Sequence, residues 1–159
     1  MIRRILVVCA GNICRSPMAA ALFAHAASGV TVESAGITAV IGSAADPLAT
    51  DLMRERGLDI RSHRARQFES WMGAQADLVI VMDHGQRKFV EERYPSMRGR
   101  VYRLGDYARP GLRMSSGFDV PDPYRQDRAA FESSLRLIEV GVAGWVVRMS
   151  GRASVASGA

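Results

Sequence analysis

Four short apolar runs punctuate the chain: Ile5–Val8, Val30–Glu33, Asp77–Met82 and Val101–Leu104. Each is too short for a helix, and the runs are rich in β-branched residues, so each predicts a strand. Between them lie stretches with helix punctuation. The first runs from Ser16 or Pro17 to about Ala27 and stops at Ser28-Gly29. Asp46-Pro47 places a cap and a first-turn proline ahead of a helix reaching about Arg56, before Gly57. A short helix is predicted around Gln67 to Met72, and another from an Asp83 cap to about Arg93, ended by Pro95. The last begins near Asp127 and reaches Met149; Phe131, Leu135, Ile138, Val142, Trp145 and Met149 step by three and four along one face. Strands alternating with helices predict an α/β fold with a doubly wound parallel sheet, Ile5–Val8 at its centre. Ile37–Ala45, with Gly42, reads as a loop, and Asp106–Pro121, with Pro110, Gly111 and Gly117, as a long irregular segment. Residues 1–149 then form a single domain, and 150–159, small and polar, a disordered tail.

Chemistry concentrates in Cys9-Ala10-Gly11-Asn12-Ile13-Cys14-Arg15-Ser16, between the first strand and Pro17. A strand's carboxyl end meets a helix amino end there, so free amides and the positive end of the helix dipole gather and suit an anion. Gly11 and Asn12 are residue types that readily adopt positive φ, which lets the backbone curl and aim successive amides inward as a nest. From Cys9 to Arg15 the contour is roughly 20 Å at ~3.3 Å per residue, enough to wrap most of a phosphate. Arg15 can close the ring with its two-pronged guanidinium. Ala10 to Ser16 are therefore the candidate phosphate-binding residues, with Cys9 below the phosphorus. The helix end, the nest and Arg15 favour a thiolate there, and a Ser16 hydroxyl bonded to the sulfur would help. Such a thiolate can attack a phosphate monoester and form a cysteinyl-phosphate.

Composition narrows the alternatives. The 159 residues suit one domain with a useful core. No apolar run approaches a membrane span, and Met1-Ile2-Arg3-Arg4 leads straight into the first strand, so a cytoplasmic protein is expected. Both cysteines sit in one loop and are no disulfide framework. The histidines, His25, His63 and His84, are scattered, so neither a metal nor a cofactor is expected. The formal charge of +5 comes from arginines spread along the chain, with Lys88 the only lysine. Without a helix-turn-helix, an RNA-binding aromatic motif or a long basic run, nucleic acid is not an expected partner. No Gly-Lys-Ser/Thr occurs, which excludes a Walker-type nucleotide site.

Cys9 to Pro17 resembles the signature of the low-molecular-weight protein tyrosine phosphatases. The likeness continues through Glu33-Ser34-Ala35-Gly36, Ser62-His63-Arg64-Ala65-Arg66, Val81-Met82-Asp83 and Asp122-Pro123-Tyr124, covering about Ile5 to Met149 in family order. The resemblance implies a four-stranded parallel sheet with helices on both faces. It implies Cys9 as nucleophile, Arg15 as phosphate clamp and Asp122 as general acid; from the residues alone Asp122-Pro123 is an ordinary turn signal. It places Ser34 as a brace for Asn12, Val40 along one wall of the substrate cleft and Tyr124 beside the substrate ring. Arg125 stands where mammalian relatives carry a second aromatic. The resemblance also implies that Cys14 can form a reversible disulfide with Cys9. Within the family the chain resembles the bacterial enzymes that accompany exopolysaccharide tyrosine kinases, which implies a phosphotyrosine protein, such a kinase above all, as the expected partner. A monomer or weak dimer is expected.

Three rival readings differ at named positions. Thioredoxin-linked arsenate reductases share the fold but need further cysteines downstream, and none follows Cys14. Protein arginine phosphatases of the same family carry threonine where this chain has the bulkier Ile13. A non-catalytic phosphoprotein-binding module would have lost the nucleophile, the arginine or the acid, and all three are present.

Overall fold

A computed structural model describes residues 1–108 and 117–156, with side-chain placement as far as Gly151. Pro110 and Gly111 of the long irregular segment, and residues 157–159 of the tail, lie outside the described residues.

The first apolar run forms β1 (Arg4–Cys9), and Ile5, Leu6, Val7 and Val8 are each at most 1 % exposed. Burying each such side chain contributes about 1.5–3 kcal/mol. β2 (Thr31–Gly36), β3 (Leu78–Val81) and β4 (Val101–Arg103) complete a four-stranded sheet in the order β2-β1-β3-β4. Every pairing is parallel. β2 extends beyond the Val30–Glu33 run because its last residues still find partners: Ala35 pairs with Val8 and Gly36 with Cys9.

Alternation along the strands divides the core. Ile5, Val7, Ile80 and Met82 face α1 (Arg15–Ala26), α2 (Pro47–Glu55) and α5 (Arg128–Ala156). Leu6, Val8, Val79 and Val81 pack with Phe68, Met72, Val90 and Met97, from α3 (Ser70–Gln75), α4 (His84–Arg93) and their flanks. Helices thus cover both faces, as expected. β1 has β2 on one side and β3 on the other, so the winding reverses beside it and the crevice opens at the carboxyl end carrying Cys9.

Asp46 and Asp83 cap α2 and α4 as their positions predict, accepting from Leu48 N (2.9 Å) and Gln86 N (2.8 Å). β4 ends in a 3-10 turn, Leu104–Tyr107, fixed by the Trp145 indole donating to Leu104 O (3.1 Å). The predicted apolar stripe of α5 is buried at Phe131, Leu135, Ile138, Val142 and Trp145. The helix does not stop at Met149 but runs on to Ala156, since the small residues there include no proline and Gly151 alone does not break it.

Candidate active site

The segment from Cys9 to Cys14 is curled by its neighbours rather than by its own contacts. Five successive carbonyls are drawn outward. Cys9 O, Ala10 O and Gly11 O accept from the amides of Ile37, Thr38 and Val40 at 2.9, 3.0 and 3.0 Å. Asn12 O accepts from His63 Nε2 (2.6 Å), and Ile13 O from Asp46 N (2.8 Å). With the carbonyls turned away, no described group accepts from the amides of Gly11 to Cys14. These amides line the inside of a cradle at the start of α1. The strap from Gly36 to Val40 lies so close that a Cβ on Gly36 would sit 2.5 Å from Ala10 O.

Of the two residues expected at positive φ, only Asn12 (57°) adopts it; Gly11 does not. Asn12 is fully buried and uses its whole side chain. Nδ2 donates to Ser16 Oγ (2.7 Å) and Ser34 Oγ (3.0 Å), and Oδ1 accepts from Arg66 N (2.9 Å). Three side-chain bonds hold an asparagine in the left-handed region that it tolerates better than most residues. Gly11 is left to lie against the Val40 side chain, where its ideal Cβ would be 3.5 Å from Val40 Cγ2.

The Asn12 bond also sets the direction of the next one. Ser16 Oγ accepts from Asn12, so its hydrogen is free to point at Cys9 Sγ, 3.0 Å away. Cys9 is 2 % exposed, at the end of β1 where the cradle begins. Arg15 is 3 % exposed; its Nη1 donates to Val120 O (2.9 Å) and lies 3.4 Å from Asp83 Oδ2. Its Nη2 lies 3.4 Å from Asp122 Oδ2. Asp122 is half-exposed, and its Oδ1 accepts from Tyr124 N (3.1 Å) in the turn that also places Arg125 at φ 60°. Tyr124 and Val40 are each 43 % exposed and belong to the surface. The Arg125 guanidinium stacks 5.2 Å from the Tyr124 ring centroid.

Cys14 forms the N-cap of α1 and is buried. Burial pushes its thiol well above the ordinary value; Asp46, Cys9 and Asp122 push the same way, and Arg15 opposes them. His63 holds the loop through the bond between its Nε2 and Asn12 O. Burial pulls its imidazole below the ordinary 6.5; that bond opposes the shift, and Arg64 and Arg66 add to it.

A sequence profile of the low molecular weight phosphotyrosine protein phosphatases matches residues 4–155. The chain belongs to this family. It is 46 % identical over 149 residues to a probable low molecular weight protein-tyrosine-phosphatase, EpsP, of Ralstonia nicotianae, covering 94 % of this chain and 97 % of that one. Among solved structures it is similar to Vibrio vulnificus Wzb in complex with benzylphosphonate, with a TM-score of 0.86 and 33 % identity over 93 % of this chain and 99 % of that one. The YwlE arginine phosphatase from Geobacillus stearothermophilus is similar too, with a TM-score of 0.85 and 30 % identity over 94 % of each chain.

The structure brings together every residue the sequence reading placed in the cradle, along with Ser34. It adds Asp83, which reads from sequence as a helix cap within the Val81-Met82-Asp83 likeness but with no role at the site, and the backbone of Val120. Asp83 follows β3 as Cys9 ends β1, and that shared carboxyl edge is the signal that could have found it. Among the described residues no helix is long and apolar enough to cross a membrane, and no three His, Cys, Asp or Glu side chains group to hold a metal ion.

Proposed function

We propose that the protein hydrolyses phosphotyrosine on proteins through a cysteinyl-phosphate at Cys9. One observation carries the reading: Cys9, its sulfur 3.0 Å from Ser16 Oγ, opens a segment whose carbonyls from Cys9 to Ile13 are all bonded outward and which leads into the buried Arg15, with Asp122 3.4 Å from that guanidinium. The amides of Gly11 to Cys14 and the Arg15 guanidinium bind the phosphoryl oxygens, Ala10 and Ser16 flank them, and the pentavalent transition state is stabilised by the same donors. Cys9 Sγ, as thiolate, forms a bond to phosphorus while the ester P–O bond breaks, and Asp122 gives its proton to the leaving phenolate oxygen. Water then attacks phosphorus, the Asp122 carboxylate takes its proton, and the P–S bond breaks to return the thiolate and inorganic phosphate.

Val40 and Tyr124 are the proposed walls for the substrate ring, Tyr124 through ring contact. The cytoplasm is the proposed location, and a monomer or weak dimer the working form. The proposed partner is a bacterial tyrosine kinase of exopolysaccharide synthesis, phosphorylated on tyrosine. Ile13 favours tyrosine over arginine phosphate, because it sets a β-branched apolar side chain at the cradle where arginine phosphatases carry a hydroxyl. Turnover of matched phosphotyrosine, phosphoserine and phosphoarginine peptides tests the reading. Preference for phosphotyrosine is expected; preference for phosphoarginine would overturn the substrate assignment, and no turnover of any would overturn the activity.

A further inference from the structure

The segment that carries Asp122 is tied to the sheet by a charge cluster that the reaction does not use. Arg103 closes β4 and is 5 % exposed. Its main-chain N–H donates to Asp106 Oδ2 (3.0 Å), its Nε donates to Asp106 Oδ1 (3.1 Å), and its Nη2 lies 3.0 Å from the same Oδ1. Asp106 is itself buried, with Arg87 Nη1 3.8 Å from its Oδ2. The clamp on one side of the guanidinium fixes where the other side points. Nη1 donates to Asp119 Oδ1 (2.9 Å), and the same oxygen accepts from His84 N at the first residue of α4 (3.2 Å).

Gly117 makes this approach possible. It sits at φ 55°, and a Cβ there would lie 2.7 Å from Arg103 Nη2 and 2.9 Å from Gly105 O. From Asp119 the chain runs three residues to Asp122, roughly 10 Å at most. Along the way Val120 N donates to Met82 O (2.8 Å), and Pro121 O accepts from Ser134 Oγ (2.8 Å). An exposed ion pair usually contributes little, because two flexible side chains must be ordered. Here the arginine is already ordered by Asp106, so only Asp119 loses freedom.

We propose that Asp119 is a positioning residue for the general acid: held by Arg103 and the first amide of α4, it sets where Asp122 stands over the cradle. The inference rests on the reading of Asp122 as the acid, and the test separates the two. A displaced acid harms substrates whose leaving oxygen needs a proton and spares those whose leaving group departs as a stable anion. A generally damaged fold harms both alike.

The experiment measures kcat/KM on phenyl phosphate and on dinitrophenyl phosphate for wild type, Asp119→Ala, Asp119→Asn and Asp122→Asn, with a thermal melt of each. Asp119 is half-exposed, so its variants are expected to fold. Asp119→Ala is expected to lose ~10–100-fold on phenyl phosphate, the scale of a misplaced catalytic group. On dinitrophenyl phosphate it should stay within about threefold of wild type. Asp119→Asn keeps an acceptor oxygen for Arg103 and His84 N and should recover part of the loss. If Asp122→Asn discriminates between the two substrates while Asp119→Ala does not, the positioning role fails and the acid stands. If Asp122→Asn loses equally on both, both assignments fall.

Discussion

Replacing Asn12 separates two contributions that the cradle combines. The alanine variant loses all three side-chain bonds at once, those to Ser16 Oγ, Ser34 Oγ and from Arg66 N. Ser16 is fully buried, so leaving its oxygen without the Asn12 donor costs about 1–3 kcal/mol, although its hydrogen still faces Cys9 Sγ. Ser34 and Arg66 are only part-buried and water can replace their partner, which leaves about 1 kcal/mol for each bond. Alanine at φ 57° adds about 1 kcal/mol of backbone strain that glycine does not suffer. Asn12→Ala is therefore expected to lose about 4–6 kcal/mol and Asn12→Gly about 1 kcal/mol less, against a total stability of about 5–15 kcal/mol for a typical domain. Urea titration of wild type and both variants, each with and without saturating inorganic phosphate, reads these differences. Phosphate should protect the variants less than wild type, because the outward pull on Asn12 that opens the amides is weakened. A loss below about 1 kcal/mol in Asn12→Ala would refute the view that this side chain holds the loop. Equal losses in the two variants would refute the strain.

The other expectations follow from single contacts. Arg15→Lys should abolish turnover, because a point-charge ammonium cannot span phosphate, Val120 O and Asp83 as the guanidinium does; near-normal kcat/KM would count against the clamp. Peroxide should inactivate wild type through a Cys9–Cys14 disulfide that thiol reverses, while Cys14→Ser gains oxygens and recovers poorly by intact mass. Because burial and the nearby carboxylates raise the Cys14 thiol, disulfide closure should speed up as pH rises; a pH-independent rate would argue against Cys14 as the resolving thiol. His63 is pulled below 6.5, so between its folded value and 6.5 the unfolded chain binds a proton that the folded one refuses. Its stabilising contribution is present above that window and lost as pH falls through the folded value. Urea midpoints of wild type should thus fall more steeply on acidification than those of His63→Gln, and parallel slopes would refute the assignment.

Much of this was legible in the residues, for local reasons. Strands β1 and β3 are continuous apolar runs because both of their faces are covered, and Asp46 and Asp83 cap helices that begin within two residues of them. Cys9, Asn12, Arg15 and Ser16 share one short segment, so their meeting needed only a turn. What stayed hidden depends on backbone groups and long-range approach. The carbonyl straps come from Ile37, Thr38 and Val40, whose side chains say nothing of where their amides point. Positive φ falls on Asn12 rather than Gly11 because Ser34 and Arg66, remote in sequence, supply partners for an asparagine. Asp119 reads as a loop carboxylate until Arg103 is seen beneath it. Arg15 meets Asp83 and Asp122 only because two other loops end at the same edge of the sheet.

The central claim is covalent catalysis by Cys9, and the phosphoryl-enzyme tests it most directly. Asp122→Asn should still transfer phosphoryl from dinitrophenyl phosphate, whose leaving group needs no proton, yet lack the base that activates water. Quenching that variant in denaturant during turnover, followed by intact-mass measurement and peptide mapping, should find one added phosphoryl group, on Cys9. Cys9→Ser should show no turnover. A phosphoryl group on another side chain, or wild-type turnover by Cys9→Ser, would contradict the account.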